Sequence, residues 1–540
     1  MNRMAAAFFR ARPERVLGMF IAGSMMIWTL QCSLLQNILG IDILETILWG
    51  SQLQWGHSKH PPLSGWIGYF FARVTGHSDW ALYLAAQIGI AAGVWFTYLL
   101  ARQFFCRSRA ATAALLLYFL FYYTPSEMKF STYFVEMAIA PAASYFLLKA
   151  LRGNRIRHWL TLGALCGLGI LNKYSFALVM LGFSVIVLTR GEYRSRLKSA
   201  GPWLSALTFL LVIMPHLLWL AAHDFVCLNH VDARLSEDHS ALMPLFVLAT
   251  TLYPPVNGAL VLLVARGLGR LGIGGGRTAN SRRDVRPRSG GINRDAMHFA
   301  AILTLLPGAA YFLLALTGTD IILMWMCSVA SWSGILVVSA CPAAVDVKCF
   351  RNVSIMLAIG IAAVFTGTTI HLLCRTSSGI HLDPDTVVTA AERFWRRHSA
   401  EPIPLVAGSR RYATLILHYA PGHPPAFECD DEIMIELYRK RLERHGALLI
   451  AGSEKHLTDF LPRLDANIRL ESVHVPFRAR FGRTRLRRFI LGFVPPGTAL
   501  RPPAGGPAGS PSEGGTERAG EKSVFSSPKP LQNRPSEVRL

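Results

Sequence analysis

Charged residues are scarce in this chain of 540 amino acids, in which Asp, Glu, Lys and Arg together make up only 16% of the sequence. Hydrophobic residues make up 52%, and the mean hydropathy is positive. Since a soluble globular domain usually has about 25% charged residues, this composition excludes an ordinary soluble protein. It predicts a chain that lies largely within a membrane.

Paired cysteines and acidic residues are also scarce. The nine cysteines include no C-x-x-C pair and no metal-binding spacing, so we expect them to pack in the core. The 33 acidic residues are outnumbered by 55 basic ones, giving a net charge of +22. In a soluble protein this excess would suggest nucleic acid. In a membrane protein it predicts cytoplasmic loops and contacts with anionic lipids instead, and no nucleic acid partner.

Repeated apolar stretches indicate membrane helices, because about 20 apolar residues cross a bilayer core of about 30 Å. The first stretch is long and lacks a small-residue cleavage site, which predicts a retained helix rather than a signal peptide. In total we predict about eleven spans: residues 16–38, 79–101, 110–124, 133–150, 158–172, 174–189, 203–221, 242–265, 298–317, 321–343 and 353–373.

The loops between these spans alternate in basic content, as the positive-inside rule requires. One set is rich in Arg and Lys, including the loop 266–294, whereas the opposite set holds only isolated cations such as Lys59 and Lys129. We therefore expect the N-terminus in the cytoplasm. Residues 40–66 and everything after the last span then lie on the outer side of the membrane.

The composition divides the chain into three parts. Residues 1–375 form the predicted transmembrane domain. Residues 376–498 read as a small α/β domain, with helices at 383–398, 410–419 and 431–445 and strands at 403–407 and 447–451. Residues 499–540, rich in Pro, Gly and Ser, predict a disordered tail.

A Gly- and Arg-rich segment, residues 267–295, contains a GxGGG run. No strand precedes this run and no amphipathic helix follows it, so it does not match a nucleotide-binding loop. We interpret the segment as a cytoplasmic linker and expect no nucleotide cofactor.

The most polar passage between apolar runs is residues 40–66, which begins with two carboxylates. Asp42 and Glu45 are spaced i, i+3, which places both on one face of a helix just outside the membrane. Such a pair can act as a general base or hold a divalent cation. The alternative is an ordinary helix start, where acidic residues are favoured by the helix dipole.

The same passage continues with Lys59 and His60 before two prolines. A cation at the membrane surface, on a backbone fixed by proline, can hold the phosphate of a lipid leaving group. Anchoring to lipid headgroups is the alternative. Trp55, with Trp49 and Trp66, indicates either an interfacial aromatic belt or a surface that stacks on a sugar.

Two lysines at the outer ends of later spans are further candidates for binding an anion. Lys129 and Lys173 each lie beside an aromatic residue, Tyr174 in the second case, and both are costly at that depth without an anionic partner. Glu136, an intramembrane carboxylate, is a functional candidate whose partner could be Lys129.

The segment PHLLWLAAHDF at the end of the seventh span supplies the last two candidates. His216 follows a proline and Asp224 comes eight residues later. A ligand or metal role and a helix-capping role both fit His216, so we keep both.

The order of these elements resembles the bacterial family 39 glycosyltransferases, relatives of the protein O-mannosyltransferases and of the lipid A aminoarabinose transferase. The motifs are D-x-x-E, W-G-x-x-L-Q-W-G, K-H-P-P-L, K-F-S, N-K-Y, P-H-L-x-W and T-G, between Asp42 and Trp332, with a weaker echo at residues 406–425. Many family members have adjacent acids where this chain has D-x-x-E. The family's basic residue after T-G is missing here.

The resemblance implies a GT-C membrane fold and a polyprenyl-phosphate sugar as donor. It also implies that an outer-loop acid, Asp42 or Glu45, activates the acceptor as a base or through a divalent cation. Lys59, with Lys129 or Lys173 nearby, would hold the lipid phosphate, and the acceptor would be lipid A or another glycolipid. A transporter or lipid flippase is the alternative, but transporters place charges near the midplane in repeated halves, and this sequence shows neither feature.

Overall fold

The computed structural model describes residues 12–124, 130–229, 240–270, 292–319, 321–341, 345–375, 378–478 and 483–502. Residues up to Leu500 form one compact unit, and a second begins at Arg501. Lys129, most of the predicted linker at 267–295 and most of the predicted tail at 499–540 lie outside the described residues.

Helices build the N-terminal three quarters of the chain. Their bounds are α1 (Pro13–Leu35), α2 (Ile41–Ser51), α3 (Leu63–Val74), α4 (Asp79–Ala101), α5 (Arg107–Leu115), α6 (Thr132–Gly153), α7 (Ile156–Asn172), α8 (Phe176–Thr189), α9 (Gly191–Arg194), α10 (Ala200–Ala222), α11 (Met243–Arg270), α12 (Arg294–Leu316), α13 (Ser333–Ala340) and α14 (Val347–Cys374). Short 3₁₀ segments extend α5 and precede α13.

The number of spans differs from the eleven predicted. Among the described residues, eight helical segments are long and apolar enough to cross a membrane, or nine if the bent pair Phe176–Thr189 and Gly191–Lys198 is one span. The difference arises where predicted spans are short or broken: α7 has 17 residues, α8 has 14, and α5 passes into a 3₁₀ segment after Leu115. The chain is nevertheless a multi-pass helical membrane protein.

The outer surface of these helices is apolar. On α10, for example, Trp203, Leu211 and Leu218 are 71%, 64% and 65% exposed. An exposed apolar face of this size is unfavourable in water and favourable against lipid chains. The helix can lie in lipid because its backbone polar groups are hydrogen-bonded within the helix.

Two glycines bring α2 and α3 into close contact. A Cβ atom at Gly50 on α2 would fall on the carbonyl oxygen of Gly65 on α3 and lie 2.5 Å from the Cβ of Tyr69. The two helices can therefore approach only because these positions lack side chains. This approach fixes the ends of the loop 52–62, which contains Lys59.

A mixed five-stranded sheet follows the last membrane helix. Its strands are β1 (Val406–Gly408), β2 (Ala426–Glu428), β3 (Ala447–Ala451), β4 (Leu470–Arg478) and β5 (Thr484–Val494), in the spatial order β2-β1-β3-β5-β4. Strand β1 is parallel to β2 and β3, whereas β5 is antiparallel to β3 and β4. The predicted small α/β domain is confirmed.

Helices α15 (Ser378–His381), α16 (Pro384–Arg396), α17 (Arg410–Tyr419) and α18 (Glu432–His445) complete this domain. The C-terminal end of α17 binds the start of α4 through Asp79. His418 Nε2 lies 3.1 Å from one carboxylate oxygen of Asp79, and the Tyr419 hydroxyl donates to the other at 2.9 Å. These bonds attach the α/β domain to the membrane helices.

A histidine stack extends this attachment. The ring of His77, in the loop before α4, stacks on His423 with centroids 3.7 Å apart, and its Nδ1 lies 3.1 Å from Nδ1 of His418. Burial lowers the pKa of His77 to about 3, and His418, His423 and Arg73 lower it as well. His77 is therefore neutral in the folded chain at ordinary pH.

The substitution Gly50→Ala should lower the free energy of unfolding by about 1–3 kcal/mol, the usual cost of overpacking. The matched control is Gly18→Ala on α1, where an added Cβ meets nothing within 4 Å. Thermal unfolding of the purified proteins in detergent measures the difference. Equal melting temperatures for the two variants would contradict the close packing of α2 and α3.

Acid should loosen the histidine stack. The pKa of His77 is near 6.5 in an unfolded chain and about 3 in the folded chain. The contribution of neutral His77 to stability is therefore complete above pH 6.5 and decreases as the pH falls toward 3. Melting temperatures measured between pH 7 and 4 should fall less steeply for His77→Asn than for the wild type. The exposed His474→Asn is the control and should leave the slope unchanged.

Candidate active site

The predicted acid and the predicted phosphate-binding lysine meet at one end of the membrane helices. The Oε1 atom of Glu45, on α2, lies 3.1 Å from Lys59 Nζ, and both side chains are largely buried, with 17% and 28% of their surfaces exposed. The polar passage at residues 40–66 therefore folds back on itself through an ion pair.

A second cation reaches the same carboxylate from the α/β domain. Arg410, the first residue of α17, forms an ion pair with Glu45 through Nη1 and another with Glu428 through Nε, at 2.8 Å. Sequence reasoning missed both residues, although Arg410 lies in the segment 406–425 that weakly echoes the family. We call Glu45, Lys59, Arg410 and Glu428 the charge cluster.

The electrostatics of the charge cluster favour a charged Arg410. Burial alone would lower the pKa of this guanidinium, but Glu45 and Glu428 raise it above its ordinary value. Burial raises the pKa of Glu428 to about 7, and Arg410 opposes this increase. The arginine beside Glu428 thus stabilises the charged form of this acid.

A hydrogen bond next to the charge cluster also joins the loop to the α/β domain. The Ser58 hydroxyl donates to Asp431 Oδ2 at 2.6 Å, and the backbone N–H groups of Ile433 and Met434 donate to Asp431 Oδ1. Asp431 therefore caps α18 with one oxygen and holds the loop with the other. The sequence feature that points to Asp431 is its position directly before an amphipathic helix, where an aspartate commonly caps the first turn.

Asp42 is half-buried in the first turn of α2. It interacts electrostatically with Tyr133, at the start of α6. The ring of Tyr133 lies 4.6 Å from Lys173 Nζ, and the ring of Trp325 lies 5.5 Å from the same atom. Asp42 and Glu45 thus have different neighbours: Asp42 interacts with Tyr133, whereas Glu45 pairs with two cations.

Lys173 is buried directly after α7. Its Nζ atom has no hydrogen-bond acceptor within the part of the chain that the structure describes. Glu136, fully buried on α6, is near enough for an electrostatic interaction with it. The sequence suggested Lys129 as the partner of Glu136, and that residue lies outside the described part of the chain.

His216 and Tyr174 are hydrogen-bonded to each other. His216 Nδ1 lies 2.6 Å from the carbonyl oxygen of Trp55, which can only accept, so Nδ1 donates. The other nitrogen, Nε2, then accepts from the Tyr174 hydroxyl at 2.8 Å. Both imidazole nitrogens are engaged, which makes His216 a link between α10, Tyr174 and the Lys59 loop.

The aromatic residues of the Lys59 loop divide into two groups. Trp55 is 40% exposed and meets Trp66 edge to face, with centroids 4.8 Å apart. Trp49 is buried, stacks on His57 at 5.6 Å and meets the edge of His60 at 5.4 Å. Trp55 is therefore available at the surface, whereas Trp49 packs the loop from inside.

His57 was not predicted as a site residue. Burial, together with the neighbouring His60 and His216, lowers its pKa to about 3. Its carbonyl oxygen accepts from the Cys227 thiol at 2.7 Å. His57 is thus a neutral packing group within the loop.

Asp224 lies in an exposed turn after α10, with the unusual backbone angle φ of 50°. Its carbonyl oxygen accepts from Asn229. Among the described residues it makes no ion pair with Lys59 or Arg410. The structure does not bring Asp224 into the charge cluster.

The acids and histidines that the structure describes do not form a donor set for the divalent cation that the sequence suggested. Within the described residues, no group of three or more His, Cys, Asp and Glu side chains is arranged to hold a metal ion. Glu45 already forms ion pairs with two cations, and both nitrogens of His216 already form hydrogen bonds.

Comparison with known proteins finds similarity to sugar transferases. Residues 59–219, which begin at Lys59 and include Lys173, Tyr174 and His216, match the family model described as dolichyl-phosphate-mannose-protein mannosyltransferase. The lipopolysaccharide core galacturonosyltransferase RgtA of Rhizobium johnstonii is 28% identical over 215 residues, 39% of this chain and 42% of that protein. An undecaprenyl phosphate-α-4-amino-4-deoxy-L-arabinose arabinosyl transferase of Proteus mirabilis is 26% identical over 33% of this chain and 34% of its own length. The chain therefore spans less than half the length of these curated relatives.

The fold has a solved counterpart. ArnT from Cupriavidus metallidurans superimposes with a TM-score of 0.54 in its apo state, at 13% identity, over 88% of this chain and 97% of ArnT. The structure of the same protein bound to undecaprenyl phosphate gives a TM-score of 0.51 at 14% identity, with the same coverage. The matched segment and the shared fold confirm the resemblance predicted from the sequence, and the chain has the membrane fold of ArnT.

Proposed function

We propose that this protein transfers a sugar from a polyprenyl-phosphate carrier to a glycolipid acceptor on the outer side of the bacterial inner membrane. The ion pair between Lys59 and Glu45 carries the proposal, because a partly exposed cation at the ends of the membrane helices suits a lipid phosphate. This topology puts the N-terminus in the cytoplasm and the α/β domain in the periplasm. It agrees with the basic residues of the opposite loops and with the contact between Glu45 and Arg410.

Donor binding is an exchange of anions at Lys59. The ammonium group leaves the carboxylate of Glu45 and pairs with the lipid phosphate, a stronger acceptor with more charge. When the sugar–phosphate bond breaks, Lys59 stabilises the negative charge that develops on the phosphate, as oriented cations do in transfer reactions of this kind. The carrier leaves as polyprenyl phosphate, so the reaction needs no nucleotide.

The sugar transfer itself needs a base. An acceptor hydroxyl attacks the anomeric carbon and its proton passes to a carboxylate. The bond between that carbon and the phosphate oxygen breaks, and the electron pair leaves with the lipid phosphate. The anomeric configuration is inverted. We assign the base role to Asp42 rather than Glu45, since Glu45 is already shared by Lys59 and Arg410. No step passes through a metal ion.

The sugar is proposed to lie near Lys173. Its ammonium group, which has no hydrogen-bond acceptor among the described residues, and the rings of Tyr133 and Trp325 offer hydrogen-bond donors and flat apolar faces, which together suit a sugar ring. Asp42, which interacts with Tyr133, is then beside the reacting carbon. The acceptor is proposed to be lipid A or another surface glycolipid such as the lipopolysaccharide core, for which the similar protein RgtA is named.

Deleting the gene should remove one sugar from a surface glycolipid, and mass spectrometry of extracted glycolipids measures the change. Complementation with the wild-type gene should restore the mass. Lys59→Ala should reduce the product by at least roughly 30-fold, because losing one partner of a charge pair usually costs 2–5 kcal/mol. The exposed Lys440→Ala is the matched control and should complement fully. An unchanged glycolipid profile in the deletion strain would refute the proposed function.

The substitutions Asp42→Asn and Glu45→Gln should distinguish the proposed base, Asp42, from the acid that forms the ion pair with Lys59, Glu45. Asp42→Asn should lower kcat by about 10²- to 10⁴-fold, the usual contribution of a general base, and leave donor binding intact. Glu45→Gln should retain measurable turnover, because its carboxylate acts through Lys59. Initial rates with purified protein in nanodiscs, as a function of donor concentration, distinguish the two. Full activity of Asp42→Asn would exclude Asp42 as the base.

A further inference from the structure

Arg410 is the cation of the charge cluster that sequence reasoning did not find. It comes from the α/β domain, where it directly follows strand β1 and opens helix α17. The far end of the same helix is fixed to Asp79 through His418 and Tyr419. Helix α17 is therefore held at both ends against the outer face of the membrane helices.

The two cations on Glu45 are not equivalent. Lys59 binds Glu45 with a single ammonium group on a flexible side chain. Arg410 binds Glu45 and Glu428 at once through two nitrogens of one rigid guanidinium. Because a guanidinium with two carboxylate partners is held in one orientation, Arg410 is the fixed member and Lys59 the mobile one.

This difference matters when Lys59 changes partner. If Lys59 were the only cation beside Glu45, moving it to a phosphate would leave a largely buried carboxylate unpaired, which is strongly unfavourable. With Arg410 in place, Glu45 keeps one ion pair after Lys59 has left. The presence of two cations thus lowers the cost of releasing Lys59.

We propose that Arg410 is a positioning residue that holds Glu45 and thereby frees Lys59 to bind the phosphate of the lipid carrier. This inference rests on the proposed function, since it assumes that Lys59 binds that phosphate. It makes the α/β domain part of the donor site. The domain would act through one side chain that reaches back to the membrane helices.

A purely structural role for Arg410 is the alternative, in which the ion pairs only attach the α/β domain. The two roles predict different behaviour when Glu45 is also changed. If Arg410 frees Lys59, removing Arg410 should strengthen the ion pair between Glu45 and Lys59 and so weaken phosphate binding. Neutralising Glu45 as well should then restore phosphate binding. If Arg410 is only an attachment, the second change should restore nothing.

The test measures the Kd of undecaprenyl phosphate for the full chain in nanodiscs. Arg410→Met should raise this Kd by about tenfold, in line with the coupling energies of neighbouring charges. The double variant Arg410→Met with Glu45→Gln should return the Kd to within about threefold of the wild type. Arg410→Lys should give an intermediate value, because lysine can reach one carboxylate but does not hold two in a fixed geometry.

The matched control is Arg397→Met. Arg397 forms an ion pair of 2.8 Å with Glu471 on the exposed surface of the same domain, and its loss should leave the Kd unchanged. Melting temperatures of all variants identify any that fail to fold, in which case Arg410→Lys carries the comparison.

An unchanged Kd in Arg410→Met would overturn the inference. So would an equal loss of binding in the single and double variants, which indicates an attachment only. Either result leaves the proposed function standing if the wild type binds undecaprenyl phosphate. A wild-type chain that does not bind this lipid would overturn the proposed function, and this inference with it.

Discussion

The carboxylate of Glu45, shared between two cations, is the interaction on which the rest of the site depends. One cation, Lys59, comes from a loop whose ends are fixed by the close approach of α2 and α3. The other, Arg410, comes from a domain that begins after the last membrane helix. A buried carboxylate without these partners would be unstable. The packing of the outer loops and the docking of the α/β domain therefore support the same few atoms.

Much of the α/β domain could be predicted from the sequence. Helix α17 and strand β3 have the predicted bounds, 410–419 and 447–451, because amphipathic and apolar runs there end at clear breaks. Strand β2 was missed because it has only three residues. The β4–β5 hairpin was also missed: β5 begins with alternating arginines, and its apolar half alone does not reveal a strand of 11 residues. Local patterns therefore predicted the helices better than the strands, whose pairing depends on distant partners.

The candidate site was predictable to the extent that polar residues stand out among apolar ones. Asp42, Glu45 and Lys59 were visible for that reason, and the structure brings Glu45 and Lys59 together. Arg410 and Glu428 were not visible, because they lie in a soluble domain where charges are common. The histidine after Pro215 suggested a metal ligand or a cap, whereas the fold uses both of its nitrogens in hydrogen bonds. Partners that meet only through tertiary structure leave no local signal.

The neutral imidazole of His57 has one more consequence. Stacked on Trp49 and buried beneath the loop, it adds bulk without charge two residues before Lys59. Because its pKa is about 3, mild acidification would not place a second positive group at this position. The charge of the loop around Lys59 would then stay the same under mildly acidic conditions. A histidine in this loop thus acts as a spacer and not as a sensor.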